Sequence, residues 1–259
     1  MRERRTFSFG ENWLRYVEHL HPAALQVQTS YLRDWLGDVA GAAFVDVGSG
    51  SGLTSLAAYE LGATVTSIDV DPASVRATSQ LRERAGSPAS WTVRQASILD
   101  AALLAELGTF DVVCSWGVLH HTGDVWRAID HAATLARPGG RLWMALYTRT
   151  RTSRRSLRAK RIYNRLPGLG QTVWRRVYAA TRWVASLARG DPMPWRTYHE
   201  RRGMNWWRDI EDWLGGLPYE PVAPGEVLAR LRPRGFELER LQDAMGEGAN
   251  DVYLFRLRR

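Results

Sequence analysis

The alternation of short apolar runs with amphipathic segments over residues 43–147 constrains the fold of this chain more than any other feature. The runs have the length and composition of buried strands, and most of the segments between them have helical spacing. Apolar strands that alternate with helices predict a parallel sheet that is covered on both faces. The predicted strands are AFVDVGS, TVTSID, SWTVRQAS, FDVVCSWG and RLWMALY, the last of them preceded by a turn at Arg137-Pro138-Gly139-Gly140.

The C-terminal segment predicts two further strands. A helical segment, PGEVLARLRPRGF, is followed by the runs FELERLQDA and DVYLFRLRR, which are separated only by MGEGAN. A parallel pair needs a crossover connection of about a dozen residues or more, so this short connection predicts an antiparallel pair. The predicted fold class is therefore α/β, with a doubly wound, seven-stranded, mostly parallel sheet whose last strand is antiparallel.

Four segments are predicted from this pattern. Residues 1–40 form an N-terminal helical lid, 41–147 the ligand-binding core, 148–218 a basic, Trp-rich helical insertion after the fifth strand, and 219–259 the helix and strands that complete the sheet. Ligands bind at the carboxyl ends of the strands in such sheets, so the insertion is expected to cover the substrate pocket. Its segment TVWRRVYAATRWVASLA has helical spacing, with one apolar face made of Val173, Val177, Ala180, Val184 and Leu187.

Composition and charge limit the function classes. Cys114 is the only cysteine, so an internal disulfide and a cysteine zinc cluster are both excluded. No apolar stretch is long enough to span a bilayer, and the N-terminus lacks the apolar region of a signal peptide, so we expect a cytoplasmic protein without a membrane partner. The formal net charge is +8, and basic residues concentrate between Arg149 and Arg189, where no acidic residue occurs.

The first predicted strand ends in a glycine-rich loop, VDVGSGSG, at residues 45–52. A phosphate-binding loop would need lysine followed by Ser or Thr after the last glycine, but Leu53 and Thr54 stand there. The dinucleotide fingerprint would need a glycine at position 53. The carboxylate of Asp46, two residues before the first glycine, would repel a pyrophosphate and attract an ammonium group. These features favour a ligand with a positively charged amino-acid end and an adenosine, which describes S-adenosylmethionine.

The motifs within residues 43–147 resemble those of the class I S-adenosylmethionine-dependent methyltransferases. Ser97 departs from the pattern, because many members of that family have an aspartate there. The alternative is a dehydrogenase-type Rossmann fold in which Asp46 occurs by chance. The resemblance implies cofactor-binding residues at successive strand ends: Asp46, Gly48, Ser49 and Gly50 for the methionine part, Asp69 for the ribose with Val70 beside it, Ser97 and Ile98 for the adenine, and Ser115, Trp116 and Leu119 to close the methionine side.

Two adjacent histidines, His120 and His121, follow the fourth strand in SWGVLHHTGD. They are expected beside the transferred methyl group, and histidine titrates near neutral pH, so either can serve as general base for a hydroxyl acceptor. His120 is the preferred candidate, and the alternative is that one of the pair packs or caps the next helix. The chain lacks the motifs of enzymes that methylate exocyclic amines of bases or cytosine C5, and we expect no bound metal.

Aromatic and basic residues of the insertion are candidates for acceptor binding. The stretch YHERRGMNWWRDIEDWLGGLPYE is similar to a subgroup known as ubiquinone/menaquinone C-methylase-like, or methyltransferase type 11/12. Arginines that pair with phosphate or carboxylate favour a small anionic or sugar-like acceptor, with O-methylation preferred over C- or N-methylation. Packing of the tryptophans and solvation of the arginines are the alternatives. The candidate substrate-binding set is Trp13, Tyr16, Tyr147, Tyr198, His199, Arg201, Arg202, Trp206 and Trp207.

Two other functions remain open at this level. An RNA methyltransferase could use the same arginines for backbone phosphates and the aromatic rings for a flipped base, although no KH-type or RNP-type motif is present. A non-catalytic binding protein could keep the fold, but the retention of Asp46, Asp69 and the loop glycines argues against it. We expect a small-molecule partner and a monomer or homodimer.

Overall fold

The computed structural model describes residues 10–188, 190–196, 206–244 and 250–258. These residues belong to two compact units. The sheet unit takes in the described residues of Ser8–Thr150 and Pro218–Arg259, and the helical unit takes in those of Arg151–Leu217.

Seven strands form one sheet in the sheet unit: β1 (Ala43–Val47), β2 (Thr64–Asp69), β3 (Trp91–Gln95), β4 (Phe110–Trp116), β5 (Ala136–Tyr147), β6 (Phe236–Gln242) and β7 (Asn250–Leu257). Their order is β3-β2-β1-β4-β5-β7-β6. The first five strands pair in parallel, whereas β7 runs antiparallel to both β5 and β6. The predicted fold class is therefore confirmed. The order reverses between β1 and β4, which is where such sheets bind ligands.

We label ten α-helices among the described residues, and seven of them belong to the sheet unit. Helix α4 shows how the sequence fixes their starts: Asp71 Oδ1 accepts a hydrogen bond from Ala73 N at 2.8 Å, and Pro72 occupies the first helical position. The helices are α1 (Gly10–Glu18), α2 (Pro22–Leu36), α3 (Leu53–Glu60), α4 (Pro72–Arg84), α5 (Ala101–Leu107), α6 (Val125–Thr134), α7 (Ser153–Tyr163), α8 (Gly168–Leu187), α9 (Trp206–Gly215) and α10 (Pro224–Leu231).

The predicted turn before the fifth strand lies within that strand. Ala136 already pairs with Phe110, and the ladder resumes with Arg141 opposite Val112, so residues 137–140 form a bulge. Gly139 adopts φ +78°, in the left-handed region. The sequence prediction therefore started β5 too late, because its turn residues interrupt the ladder without ending the strand.

Each face of the sheet covers its own hydrophobic cluster. Val113 and Met144 point to the cluster that includes α6 and α10, whereas Val112, Cys114 and Trp143 point to the cluster that includes α2 and α3. Successive residues of a strand point to opposite faces, so continuous apolar runs are needed to fill both. Cys114 is fully buried and behaves as a small apolar side chain.

The helical unit has a small core of its own, made of Tyr163, Ala179, Trp206, Ile210 and Leu214. Lys160, the only lysine of the chain, is buried there. Its ammonium group donates to the Trp213 carbonyl and lies 3.9 Å from the centre of the Trp213 ring. Asn164 Nδ2 donates to the carbonyls of Leu214 and Gly215 at 3.3 and 3.2 Å. These two side chains of the α7 end therefore satisfy carbonyls at the end of α9.

The apolar face predicted for α8 is solvent-exposed. Val173, Val177 and Val184 expose 62%, 59% and 60% of their surface. We define the α8 stripe as Leu169, Val173, Val177, Ala180, Val184 and Leu187, all exposed. Within the described ranges, no helix combines the length and the apolar composition that a membrane crossing requires.

Candidate functional site

The glycine loop joins β1 to α3 at the carboxyl edge of the sheet. Its three glycines, Gly48, Gly50 and Gly52, have φ of +77°, +55° and +83°. A Cβ on Gly48 would lie 2.4 Å from the Val118 side chain, and one on Gly50 would lie 3.1 Å from the indole nitrogen of Trp13. The loop therefore requires glycine for its backbone conformation and for the close approach of its neighbours. Trp13, a predicted substrate residue, thus covers the loop.

Asp46 is a buried carboxylate beneath this loop, 2% exposed. Its Oδ2 accepts a hydrogen bond from Ser55 Oγ at 2.6 Å. Ser55 Oγ in turn accepts from Ser67 Oγ at 2.7 Å, and Ser67 Oγ accepts from Trp91 Nε1 at 2.9 Å. Burial raises the pKa of Asp46 to about 6, and the Ser55 hydrogen bond opposes that rise. The carboxylate is oriented by a relay that begins in α3 and crosses β2 to β3.

Asp69, the last residue of β2, is bound to the loop through its carboxylate. Oδ2 accepts from Gly50 N at 3.0 Å, and Oδ1 accepts from Asp71 N at 2.9 Å. Burial raises the pKa of Asp69, and the N–H groups of Asp71 and Gly50 lower it. A carboxylate has two oxygens that accept hydrogen bonds, which suits a ligand with two adjacent hydroxyl groups.

The predicted adenine and ribose neighbours lie at the ends of β2 and β3. Val70 is 65% exposed, and its carbonyl accepts from Gln95 Nε2 at 3.2 Å. Ser97 Oγ accepts from Leu99 N at 3.2 Å. Ile98 is buried, and its carbonyl lies 2.7 Å from His131 Nδ1. The Ser49 hydroxyl lies 2.9 Å from the Thr78 hydroxyl, within the loop–α4 contact.

Residues after β4 have mixed surroundings. Ser115 Oγ donates to the Val47 carbonyl at 3.1 Å and so ties β4 to β1. The Trp116 ring packs edge-on against Tyr31, with 5.4 Å between ring centres, and 4.9 Å from Trp143. Leu119 is fully buried in the core. The structure thus gives Ser115 and Leu119 packing and tethering contacts, and Trp116 a place in an aromatic cluster beside α2.

The two histidines lie in a short 3-10 segment, Leu119–His121. Their Nδ1 atoms have opposite roles, one as hydrogen-bond acceptor and the other as donor. His120 is fully buried, and its Nδ1 accepts from Tyr147 N at 3.1 Å. His121 Nδ1 lies 2.6 Å from the Pro218 carbonyl, which can only accept. Neutral His120 therefore carries its proton on Nε2, whereas neutral His121 carries it on Nδ1, so that Nε2 is the basic nitrogen of its ring.

A group of polar residues that the sequence did not single out lies around Tyr147. Glu220 N donates to the His120 carbonyl and Val222 N donates to the Tyr147 carbonyl, both at 3.0 Å. Thr148 Oγ1 and Asn250 Oδ1 are buried and make no hydrogen bond within the part of the chain that the structure describes. Asn250 pairs with Tyr147 across β5 and β7. The antiparallel pairing of RLWMALY with DVYLFRL is the one signal that could have placed it there.

Five of the nine predicted substrate residues lie among the described residues. Tyr16 packs edge-on with Trp13, 6.0 Å between ring centres, whereas Tyr147 lies 4.0 Å from the His120 ring and 5.5 Å from Tyr219. In the helical unit, Trp206 is a core residue and Trp207 is 55% exposed in a cleft with Arg175 and Glu211. The remaining four, Tyr198, His199, Arg201 and Arg202, lie outside the described residues.

Residues 45–144, which include the glycine loop, Asp69 and both histidines, match the family model described as a methyltransferase domain. Residues 45–144 form a class I methyltransferase domain. The sequence-based expectation of this family is thereby confirmed, and the seven-stranded sheet is the one expected for it.

Curated relatives of the methyltransferase domain include two bacterial proteins named ubiquinone biosynthesis O-methyltransferase. The protein from Xanthomonas euvesicatoria pv. vesicatoria (strain 85-10) is 33% identical over 131 residues, which cover 51% of this chain and 52% of the relative. The protein from Methylobacterium sp. (strain 4-46) is 34% identical over 123 residues, covering 47% and 48%. The chain thus spans about half the length of the curated relatives it matches.

Two solved structures resemble the whole chain in fold. Magnesium protoporphyrin IX methyltransferase from Synechocystis PCC 6803, with S-adenosylhomocysteine bound, has a TM-score of 0.55 at 17% identity, covering 98% of this chain and 90% of that one. An N-methyltransferase from Bradyrhizobium japonicum WM9, in complex with S-adenosyl-L-homocysteine, has a TM-score of 0.54 at 15% identity, covering 97% and 100%. At this identity the likeness concerns the fold alone.

The glycine loop generates a stability prediction. Gly48→Ala should destabilise the methyltransferase domain through backbone strain, roughly 1–2 kcal/mol, and through the clash with Val118, roughly 1–3 kcal/mol more. Gly108→Ala is a matched control, because Gly108 has φ +75° and no atom within 4 Å of its added Cβ. Urea unfolding should give a much lower free energy of unfolding for Gly48→Ala than for Gly108→Ala. The Gly48→Ala/Val118→Ala double variant is compared with Val118→Ala, so that the clash with Val118 is measured separately. Equal losses at Gly48 and Gly108 would remove the close-approach argument.

Proposed function

We propose that this chain transfers a methyl group from S-adenosylmethionine to a hydroxyl group of a small, hydroxylated aromatic molecule. The observation that carries the proposal is the pair of carboxylates at the glycine loop. Asp46 lies buried beneath the loop, and Asp69 is hydrogen-bonded to the loop backbone. A buried acidic group disfavours phosphate and favours a cation, which is the character of the amino-acid end of this cofactor.

The described residues fit the cofactor at both ends. The Asp46 carboxylate would hold the ammonium group, and the Asp69 oxygens would accept hydrogen bonds from the ribose hydroxyls. An added Cβ on Gly50 would lie 3.1 Å from Trp13 Nε1, so the loop and Trp13 are in close contact. Without a side chain at Gly50, the loop backbone would also be able to approach the ligand closely. When bound, S-adenosylmethionine supplies a methyl group that its positive sulfur has already activated.

The residues after β4 supply the acid–base function. His121 Nε2 would accept the proton of the acceptor hydroxyl, because the Pro218 carbonyl at 2.6 Å keeps the ring proton on Nδ1. His120 is less suited to this task, since its Nδ1 is used by Tyr147 N and its ring is fully buried. His120 would instead fix the position of Tyr147. The hydrogen bonds therefore favour His121 as the base, whereas the sequence analysis preferred His120.

The side chains around Tyr147 favour an aromatic acceptor with polar substituents. The Tyr147 ring is partly exposed and lies 5.5 Å from the buried Tyr219 ring, so Tyr147 would be the aromatic surface that an acceptor ring contacts. The buried Asn250 Oδ1 can accept a hydrogen bond from a hydroxyl substituent, and the Thr148 hydroxyl can donate to or accept from one. The names of the relatives, which are O-methyltransferases of ubiquinone biosynthesis, support a phenolic hydroxyl as the methylated group.

Cofactor binding is tested at Asp69. Asp69→Asn removes one acceptor oxygen and adds an N–H group that opposes the backbone donors, so we expect affinity for S-adenosylhomocysteine to fall by about one to two orders of magnitude. Calorimetry measures the change. Asp100→Asn, at the exposed start of α5, is the control and should leave the affinity unchanged. Binding of NADH in place of both adenosyl compounds would contradict the proposal.

The pH dependence of binding is tested at Asp46. Its pKa of about 6 means that the carboxylate is ionised at neutral pH and protonated in mild acid. If the ionised form attracts the cofactor's ammonium group, the association constant should fall about tenfold per pH unit below about pH 6 and level off above it. Asp46→Asn should bind weakly and lose this dependence. Calorimetric titrations between about pH 5 and pH 8 decide the matter, and an unchanged profile in Asp46→Asn would refute the role.

The two histidines are separated by matched variants. We expect His121→Ala to lower kcat by about two to four orders of magnitude, with the affinity for S-adenosylhomocysteine retained. His120→Asn should stay active, because its side-chain oxygen can accept from Tyr147 N, whereas His120→Ala should lower the melting temperature. Initial rates on a panel of catechols and phenols give the comparison. A wild-type rate in His121→Ala would sink the assignment of the base, and methyl transfer to bulk tRNA but to none of the panel would favour the RNA alternative.

A further inference from the structure

The α8 stripe is an apolar surface without an assigned role. Its members recur at spacings of four and three residues, so they lie along one side of α8 over roughly 27 Å. They belong to a wider concentration: of the thirteen exposed large apolar side chains among the described residues, ten lie between Ile162 and Trp207. Apolar patches of this kind mark binding surfaces for proteins or lipids.

The same unit carries the positive charge of the chain. Residues 151–217 contain fifteen basic and five acidic residues, a net charge of +10, whereas the other residues contain twenty basic and twenty-two acidic residues, a net charge of −2. Most of the arginines before α8 are exposed. Exposed arginines on α7 and just after it are Arg154, Arg155, Arg158, Arg161 and Arg165.

Two ion pairs of α8 lie on the side of the helix opposite the stripe. Arg175 pairs with Glu211 and Arg182 pairs with Asp209, both at 2.9 Å, and these pairs connect α8 to α9. Arg175 and Arg182 lie roughly half a turn around the helix from the centre of the stripe. Arg176, which borders the stripe, is exposed. The helix therefore has one side that packs through ion pairs and another that is apolar, with Arg176 at its border.

We propose that the α8 stripe and the arginines of α7 dock on an anionic lipid surface, with α8 lying in the plane of the interface. A helix with one apolar face and a basic border binds such surfaces by burying the face among acyl chains while its arginines meet lipid phosphates. Trp183 and Trp195 are 41% and 45% exposed, and tryptophan favours the boundary between lipid and water.

The charge and apolar character of this surface also argue against a second copy of the chain and against a nucleic acid as the partner. A second copy of the chain would bring two units of net charge +10 together, and a nucleic acid would meet the arginines but offer no apolar surface to the stripe.

The sequence-based expectation of no membrane partner considered only segments that cross a bilayer. The docking is independent of the proposed methyl transfer, so each can fail without the other.

Vesicle sedimentation tests the proposal with the full chain. We expect the protein to sediment with vesicles of equal parts phosphatidylcholine and phosphatidylglycerol, and to stay in solution with vesicles of phosphatidylcholine alone. Raising the salt from about 50 to about 500 mM should weaken the binding, because the Debye length shortens several-fold. No sedimentation with the anionic vesicles would overturn the proposal.

Two variants separate the apolar and basic contributions. Val177→Glu/Val184→Glu should weaken partitioning by about tenfold or more, since it places charge in the buried face. Arg154→Gln/Arg158→Gln/Arg161→Gln should weaken it on the order of 100-fold at low salt, at about fivefold per arginine. Val27→Glu/Leu238→Glu is the control, because both residues are exposed in the sheet unit and should not affect binding.

Thermal unfolding and light scattering complete the test. All of the substituted side chains are exposed, so melting temperatures should match the wild type. Wild-type partitioning in Val177→Glu/Val184→Glu would overturn the role of the stripe. A wild-type dimer that becomes a monomer in this variant, without lipid binding by either, would assign the stripe to a second copy of the chain and refute the proposal.

Discussion

The Asp69 carboxylate is the interaction on which the candidate site most depends. It accepts hydrogen bonds from the backbone of the glycine loop on one side and of Asp71 on the other. Asp71 in turn starts α4 and accepts from Gly10 N at 3.1 Å, at the start of α1. The backbone donors offset part of the cost of burying this carboxylate, and the carboxylate in turn holds the loop in one shape. The carboxylates of Asp69 and Asp71 thus position the glycine loop, the end of β2 and the start of α1.

Patterns local in the chain predicted most of the fold. Strand and helix alternation, the Asp71-Pro72 helix start and the short MGEGAN connection each depend on neighbouring residues, and each led to the right element. The bulge at residues 137–140 was misread as a turn, because glycine and proline signal a break in the ladder without saying whether pairing resumes beyond it. Pairing partners far along the chain decide that outcome.

The site was predictable only where its residues belong to a contiguous motif. Asp46 and Asp69 lie near the ends of predicted strands and the histidine pair follows one, so their arrival at one edge of the sheet follows from the topology. Asn250 comes from a distant segment, and nothing local marks it. The same limit applies to the histidines: they are adjacent in sequence, yet one is bound to the Tyr147 amide and the other to the Pro218 carbonyl. Their different proton positions come entirely from tertiary contacts.

The burial of Lys160 has a practical consequence. The chain has no other lysine, and this one lies 1% exposed in the core of the helical unit, against the Trp213 ring. Amine-directed labelling of side chains can therefore modify a single position, and only when that core opens. The rate of lysine labelling then reports the opening equilibrium of the helical unit on its own, separately from the unfolding of the sheet. The native sequence thus carries a built-in probe of the stability of one of its two units.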